Sequence, residues 1–377
     1  MKSKKLGTWR HWAAAATLAT CASGAMAQED RFSFHGFGNQ DFWKSSSNSF
    51  DGSGDKGTWD NNFLAVDVSA TINDRSKAWA QLETSTNGGT FFTWFFVDYN
   101  FNDDLRAHVG AVKFPIGIYN EYIDARALQM SVLLPVVYSQ EADLVHDAYE
   151  GVGLDYDWHL GSSGKIVLQG YFGNNYSPAA ASGPSVPFPA QQQQGDLQAG
   201  TNDERTFGGR VTWETPVNGL RFLLSANTVL IETTAGNGQI PGQTGYENRD
   251  MASVDYVNDT LDVKAEIMNH RVPGLSGYAD LTSRAWYVQV GYLGIDRWTP
   301  YVQYDNLVTD TSKSSDPSYY ERDFVVGTNF KIRDNLNFRV EEHFNHGYAL
   351  PVAAGETEVD AGKATWNLFA ASVNFMF

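Results

Sequence analysis

Beyond residue 30 the chain alternates: apolar side chains return at every second position, run after run, along almost its whole length. In 61–71, Leu64, Val66, Val68 and Ala70 share one face, with Asp67 and Ser69 on the other. In 261–268, Leu261, Val263, Ala265 and Ile267 alternate with Asp262, Lys264 and Glu266. The same rhythm sets Leu336, Phe338 and Val340 against Asn337, Arg339 and Glu341. It also sets Trp298, Val302 and Tyr304 against Thr299, Tyr301, Gln303 and Asp305. Period two is the repeat of a β-strand with one apolar face and one wet face.

Marking these runs predicts about sixteen strands. They lie at 32–43, 61–71, 77–86, 90–101, 105–114, 148–158, 164–174, 205–215, 220–232, 249–258, 260–271, 282–293, 297–308, 320–332, 335–346 and 363–377. Most reach the length of about ten that a tilted strand needs to cross a bilayer. Strands of soluble proteins average about five or six. The connections divide the same way. Short links rich in Asn, Asp and Gly fall at 72–76, 102–104, 159–163, 216–219, 258–259, 294–296 and 333–334. Longer ones fall at 44–60, 87–89, 115–147, 175–204, 233–248, 272–281, 309–319 and 347–362. Only 87–89 is short, and the two kinds strictly alternate, as when all turns lie on one side of a membrane and all loops on the other. A secreted β-sandwich of lectin-like type, the rival from another class, has no reason to segregate them.

Aromatic residues, 14% of the chain, gather at strand ends in the apolar phase. Tyr99, Phe101, Trp158, Trp213, Tyr256, Tyr292, Trp298, Phe375 and Phe377 lie near the short turns, and Phe42, Trp286 and Phe324 near the long loops. Two belts at headgroup depth are expected, because an amphipathic ring prefers the interface. The chain ends on alternating Phe369, Ala371, Val373, Phe375 and Phe377, with Ser372 and Asn374 between. This last strand is expected to pair with the first, since an open edge in hydrocarbon leaves backbone groups unpaired at several kcal/mol each. The expected fold is an all-β, transmembrane antiparallel β-barrel.

The first residues belong to another function. Lys2, Lys4, Lys5 and Arg10 precede an Ala-rich apolar stretch, 13–25, and Ala25-Met26-Ala27 offers small residues for a signal peptidase. The expected signal peptide is 1–27, leaving 28–377 as the barrel. Leu18-Ala19-Thr20-Cys21 has the outline of a lipoprotein box, with an ill-fitting Thr before the cysteine. Cleavage after Ala27 would discard Cys21, the only cysteine. It would also leave 23 Lys and Arg against 44 Asp and Glu. So acidic a chain is no nucleic-acid partner, because phosphate contacts need clustered cations.

A closed sheet of about sixteen strands encloses water rather than only side chains. The terminal aromatic residue with alternating apolar positions resembles the recognition signal of Gram-negative outer-membrane barrels, and from about residue 31 onward the chain resembles the porins. A narrower likeness lies in Gly110-Ala111-Val112-Lys113-Phe114-Pro115-Ile116-Gly117-Ile118-Tyr119-Asn120-Glu121, followed by Asp124-Ala125-Arg126 and Ser131-Val132-Leu133-Leu134-Pro135. This stretch is similar to one in the phosphate-selective (O and P) group of porins, although no lysine ladder accompanies it. The resemblance implies a homotrimer in the outer membrane, in contact with its lipid, and a passive diffusion channel for small hydrophilic solutes and ions. It also implies that the third long link folds inward to narrow the channel.

The composition of 115–147 suits that role, since Ile116, Ile118, Val132, Leu133, Leu134, Val136 and Val137 give it apolar surface for the inner wall. Its ionisable groups are mostly acidic: Glu121, Asp124, Glu141, Asp143 and Asp147, against Arg126 and His146. The inward phase of the wall holds Arg106, Lys113, Arg210, Arg221, Lys264 and Arg339, along with acids such as Asp67, Glu83, Asp155, Asp255, Asp305 and Glu341. Acid on the loop facing base on the wall would set a field across the pore and bias which ions pass. The acidic excess points to weak cation preference or little preference. Alternatives left open are a channel specific for a sugar, dicarboxylate or phosphate, and a barrel sheathing a redox partner. A plugged active transporter needs a longer chain. No Gly-x-Ser-x-Gly elbow and no metal-ligand spacing among His35, His108, His146, His159, His270, His343 and His346 point to catalysis or a metal, and no cofactor is expected.

Overall fold

The computed structural model describes residues 31–50, 53–54, 56–59, 61–85, 89–176, 201–233, 240–353 and 363–377. The expected leader 1–27 lies outside the described residues. The first eight strands are β1 (Phe32–Ser45), β2 (Asn62–Asn73), β3 (Ser76–Ser85), β4 (Gly89–Asn100), β5 (Leu105–Lys113), β6 (Ala148–His159), β7 (Lys165–Tyr176) and β8 (Thr201–Glu214). The second eight are β9 (Leu220–Thr233), β10 (Thr244–Val257), β11 (Leu261–Val272), β12 (Leu281–Tyr292), β13 (Trp298–Val308), β14 (Tyr320–Arg333), β15 (Leu336–Gly347) and β16 (Thr365–Met376). Each strand pairs antiparallel with its neighbours in sequence, and β16 pairs back onto β1, so the sheet is a closed barrel.

Closure is made by the alternating tail. Asn374 sits opposite Asn39 and Ser372 opposite Asp41, while Phe377 and Gly36 exchange two backbone hydrogen bonds of 2.9 Å. A closed ladder leaves no strand edge, the condition for β-structure in hydrocarbon. No helix of the described residues is long and apolar enough to cross a membrane.

The side-chain phase follows the sequence. Leu64, Val66 and Val68 alternate with Asp67 and Ser69, and the partners of Asp67 are His35 and Gln81, so the polar set shares one face across β1–β3. The opposite set is outward. Phe95, Val97, Val109, Val152, Leu154, Phe172, Val211, Leu224, Ile267, Val302, Val326 and Val373 are all large, apolar and exposed. A soluble fold does not leave so much apolar surface bare, and a bilayer covers it. At the short-turn end Tyr99, Phe101, Trp158, Trp213, Tyr292, Trp298, Phe375 and Phe377 are exposed in a belt.

The core lies inside the barrel. Residues 115–147 turn into the lumen and contribute Ile116, Ile118, Tyr119, Val136, Val137, Tyr138 and Leu144 to a buried cluster. The wall contributes Leu223, Met251, Met268, Ala285, Tyr287 and Leu307. Part of the inner face is therefore dry rather than wet, because the loop covers it. Among the loop residues expected to pack there, Val132 joins Trp43, Phe50, Trp366 and Leu368 in a second cluster, with Leu133 half-buried at its margin and Leu134 half-buried at that of the first.

Candidate functional site

The loop is held by a row of inward polar side chains on the wall. Glu266 of β11 accepts from Ile118 N (2.9 Å), the Tyr138 hydroxyl (2.5 Å), Ser253 Oγ (2.5 Å) and the Tyr287 hydroxyl (2.9 Å). Glu341 of β15 accepts from the amides of Val132 and Leu133 at 2.8 Å each. Asp305 of β13 accepts from Val136 N (2.9 Å). Arg339 donates to the carbonyls of Gln129 (3.1 Å) and Ser131, and Arg249 to those of Leu144 and Asp143 (3.1 Å each). A segment without regular structure must satisfy its backbone somewhere, and these side chains do so. Hydrogen bonds to charged groups contribute about 1.5–3 kcal/mol each.

Gly117 shows how tightly the loop lies down. Its φ of +59° is a left-handed conformation, and a Cβ there would run into the Tyr138 hydroxyl and Met251. Its amide donates to Ser225 Oγ at 3.0 Å and its carbonyl accepts from Arg210 Nη1 at 2.8 Å. Only glycine meets both demands without strain.

The charged residues expected at a constriction fall into three groups. Glu121 of the loop meets Arg210 of β8 in an ion pair. Lys113, at the end of β5, sits between Asp124 (2.7 Å) and Asp147 (2.9 Å). Burial pushes the Asp124 carboxyl above its ordinary value, with Lys113 pulling the other way. Acid on the loop and base on the wall are thus in direct contact at two places. In the second group the bases pair with acids of the wall itself. Arg106 meets Asp155 (2.5 Å), Arg221 meets Asp255 (2.7 Å), and Lys264 lies between Asp262 and Asp255. Arg106, Arg221 and Glu121 keep 47%, 41% and 39% of their side chains exposed, so these three bear most on a passing ion.

The third group has turned to packing. Arg339 is fully buried beneath the loop and faces no water. Asp143 is buried against Arg249 (3.2 Å), Glu141 accepts from Ser139 Oγ (3.0 Å), and Arg126 is half-buried at a one-turn 3₁₀ helix, Arg126–Leu128. Alternation assigned Arg339 to the right face, but no strand pattern tells that a loop would lie over it. Glu266, Arg249 and Tyr138 were not singled out in the sequence. The inward phase of Glu266 was legible, whereas its loop partners come from residues more than a hundred positions away.

Below the loop, at the short-turn end, a cavity of about 1310 Å³ is lined by Ala127 of the loop and by Asn329, Lys331, Asn337 and Asn374 of the wall. Against the spacing argument, the structure gathers possible metal ligands. Atoms of Asp143, His146 and Glu247 lie within 4.8 Å of one another. Arg249 already bridges the two carboxylates, 3.2 Å from Asp143 and 2.5 Å from Glu247, and His270 adds a further contact to Glu247 at 2.5 Å. Burial and that guanidinium push His146 down to about 3. The cluster is a clasp on the loop's returning limb, its two carboxylates bridged by one arginine.

Replacing Arg210 by alanine should free the Glu121 carboxylate at an exposed position. The expected result is a zero-current potential in a KCl gradient that moves toward cation preference by several millivolts. No movement, or movement the other way, would remove Glu121 from the ion path.

No protein-family model matches the chain, and no curated protein matches it in sequence. Solved structures do match in fold. OmpT of Vibrio cholerae, an outer-membrane protein, superposes with a TM-score of 0.57 at 12% identity, over 92% of this chain and 97% of that one. OmpF of Salmonella typhi, in complex with daunomycin, gives 0.58 at 11% identity over 92% and 97%. The anion-selective porin of Comamonas acidovorans gives 0.55 at 10% identity over 92% and 99%. The protein has the sixteen-stranded closed-barrel fold of these outer-membrane proteins.

Proposed function

We propose that the protein is a passive diffusion channel of a Gram-negative outer membrane, admitting small hydrophilic solutes and ions. The observation that carries this reading is the inversion of the barrel. Exposed apolar side chains ring its outside, while Arg106, Arg221 and Glu121 remain solvated within. Such a cylinder is stable with lipid around it and water through it. The leader 1–27 would export the chain, and the mature barrel would need neither a cofactor nor covalent chemistry. Selection would come from the width left beside the 115–147 loop and from the charges at its edge.

Two finer assignments belong to the same proposal. A homotrimer fits the fold, and OmpT of Vibrio cholerae is described in a trimer form. Phosphate selectivity has less support, because the Lys113 of the likeness segment is taken up by two aspartates, Arg106, Arg210, Arg221 and Lys264 carry carboxylate partners, and Arg339 is buried on loop carbonyls. The test is reconstitution. Purified protein in planar bilayers should give stepwise, ohmic conductance, and proteoliposomes should swell in small uncharged solutes at rates that fall steeply with solute size. A protein that extracts in buffer without detergent and leaves bilayers silent would contradict the proposal.

A further inference from the structure

The stretch Phe91-Phe92-Thr93-Trp94-Phe95-Phe96 in β4 holds five aromatic residues whose faces simple alternation misassigns. A β-bulge resolves them. Gln81 of β3 pairs with Trp94, but the next residue, Leu82, pairs with Phe92, so Thr93 is an extra residue in β4. Thr93 is buried, its hydroxyl on Glu83 at 3.3 Å. A bulge shifts the side-chain phase by one. Phe92 and Phe95 therefore both face outward, 47% and 41% exposed, while Trp94 and Phe96 both turn to the lumen.

These two rings do not stand alone. Trp79 of β3, opposite Phe96, is also inward, its indole N–H donating to Asp98 Oδ2 at 2.7 Å. The Trp94 and Phe96 rings lie 5.6 Å apart, and Phe96 meets the His108 ring edge-on at 5.8 Å. Lys77 Nζ stands 4.0 Å over the Trp79 ring. All three aromatic side chains are half-buried. Apart from Lys113 at the end of β5, which holds Asp124 and Asp147, the loop's anchors named above fall on β8 to β15, and Trp79, Trp94 and Phe96 are not among them.

Aromatic surface facing water is unfavourable by about 25 cal/mol per Å², and the apolar face of a solute that covers it recovers that cost. Its border is polar and internally neutralised. His108 bridges Asp98 (2.7 Å) and Asp155 (2.8 Å), and Arg106 completes the chain on Asp155. Donors and acceptors alternate there with little net charge. The matching solute has a flat C–H face for the rings and a rim of hydroxyls for the paired charges, and carries no charge of its own. A ring sugar has that chemistry. An aromatic carboxylate would share the face but would meet Arg106 and His108 already paired with Asp155 and Asp98, and Lys77 lying over the Trp79 ring.

We propose that Trp79, Trp94 and Phe96 form a strip in the channel wall along which neutral ring sugars bind weakly as they pass, their hydroxyls meeting Lys77, Asp98 and His108. This inference rests on the channel reading. The test records single-channel current in KCl with maltotriose, sorbitol or benzoate added. Maltotriose should lower the current saturably, whereas sorbitol, an open-chain polyol, should lower it only through viscosity. Trp94→Ala and Phe96→Ala should each weaken the maltotriose block about three- to tenfold, the scale of one aromatic contact. Trp94→Phe should retain most of it, and the KCl conductance of all three variants should stay near that of the parent. A channel that conducts but is blocked no better by maltotriose than by sorbitol overturns the strip and leaves the pore standing. So does stronger block by benzoate than by maltotriose, or block unchanged in both alanine variants. A silent bilayer overturns the pore and the strip together.

Discussion

Replacing Glu266 with alanine is expected to release the inward loop and widen the channel without unmaking the barrel. The carboxylate is the common acceptor for one loop amide, one loop hydroxyl and two wall hydroxyls. Its loss takes the acceptor from the Tyr138, Ser253 and Tyr287 hydroxyls, at about 1–3 kcal/mol for each group that finds no other, while Ile118 N keeps the Tyr138 oxygen at 2.6 Å. The entering limb at Ile118 and Tyr119 meets the returning limb at the Tyr138 hydroxyl, 2.6 and 2.9 Å away, and Glu266 ties that junction to the wall. Both should therefore loosen together. The backbone ladders of β11 with β10 and β12 are untouched, so the sheet should survive. The measurement is liposome swelling with uncharged solutes of graded size. Glu266→Ala should admit solutes the parent excludes, and its single-channel current should be noisier. An unchanged size limit with quiet current would mean that the loop is held by its apolar cluster alone.

Removing β16 should have the larger effect on folding. That strand pairs along its length with β1 on one side and β15 on the other. A chain ending at Lys363 would leave both partners as open edges, at several kcal/mol for each backbone group unpaired in hydrocarbon. The truncated protein should fail to give the compact, heat-modifiable band that folded barrels show on unheated gels. Phe377→Ala is the control. It keeps the paired backbone bonds to Gly36 and loses only a ring stacked near Phe375, so it should still fold in detergent. A truncated chain with a normal folded band would mean that the barrel closes some other way.

Strand positions were legible because lipid and water impose opposite demands on the two faces of each strand. Where those demands lapse, the reading slips. The start of β10 is the clearest case, lying at Thr244 rather than at 249. Its first residues place Tyr246 and Asn248 on one face and Glu247 and Arg249 on the other, so no apolar rhythm marks them. The bulge at Thr93 is a second, since a run of five aromatic residues reads as lipid-facing until the register is known. The inward loop was legible from the seven apolar residues that an exposed loop would not carry. Its anchors were not, because Glu266, Glu341 and Arg339 look like any other solvated lumen residue until the loop is laid on them. Of the candidate site, the faces could be read in advance, and the pairing of Glu121 with Arg210 or of Lys113 with Asp124 could not.

The most direct test of oil outside and water within uses single cysteines in a background where Cys21, the chain's only cysteine, is replaced by serine. Leu64→Cys, Val263→Cys and Phe375→Cys are to be compared with Arg106→Cys and Arg221→Cys in proteoliposomes, using a membrane-impermeant charged maleimide and a lipid-soluble one. The account predicts that the charged reagent labels positions 106 and 221 and spares 64, 263 and 375, which only the lipid-soluble reagent reaches. The reverse pattern, with 64, 263 and 375 open to the charged reagent and 106 and 221 closed to it, would contradict it.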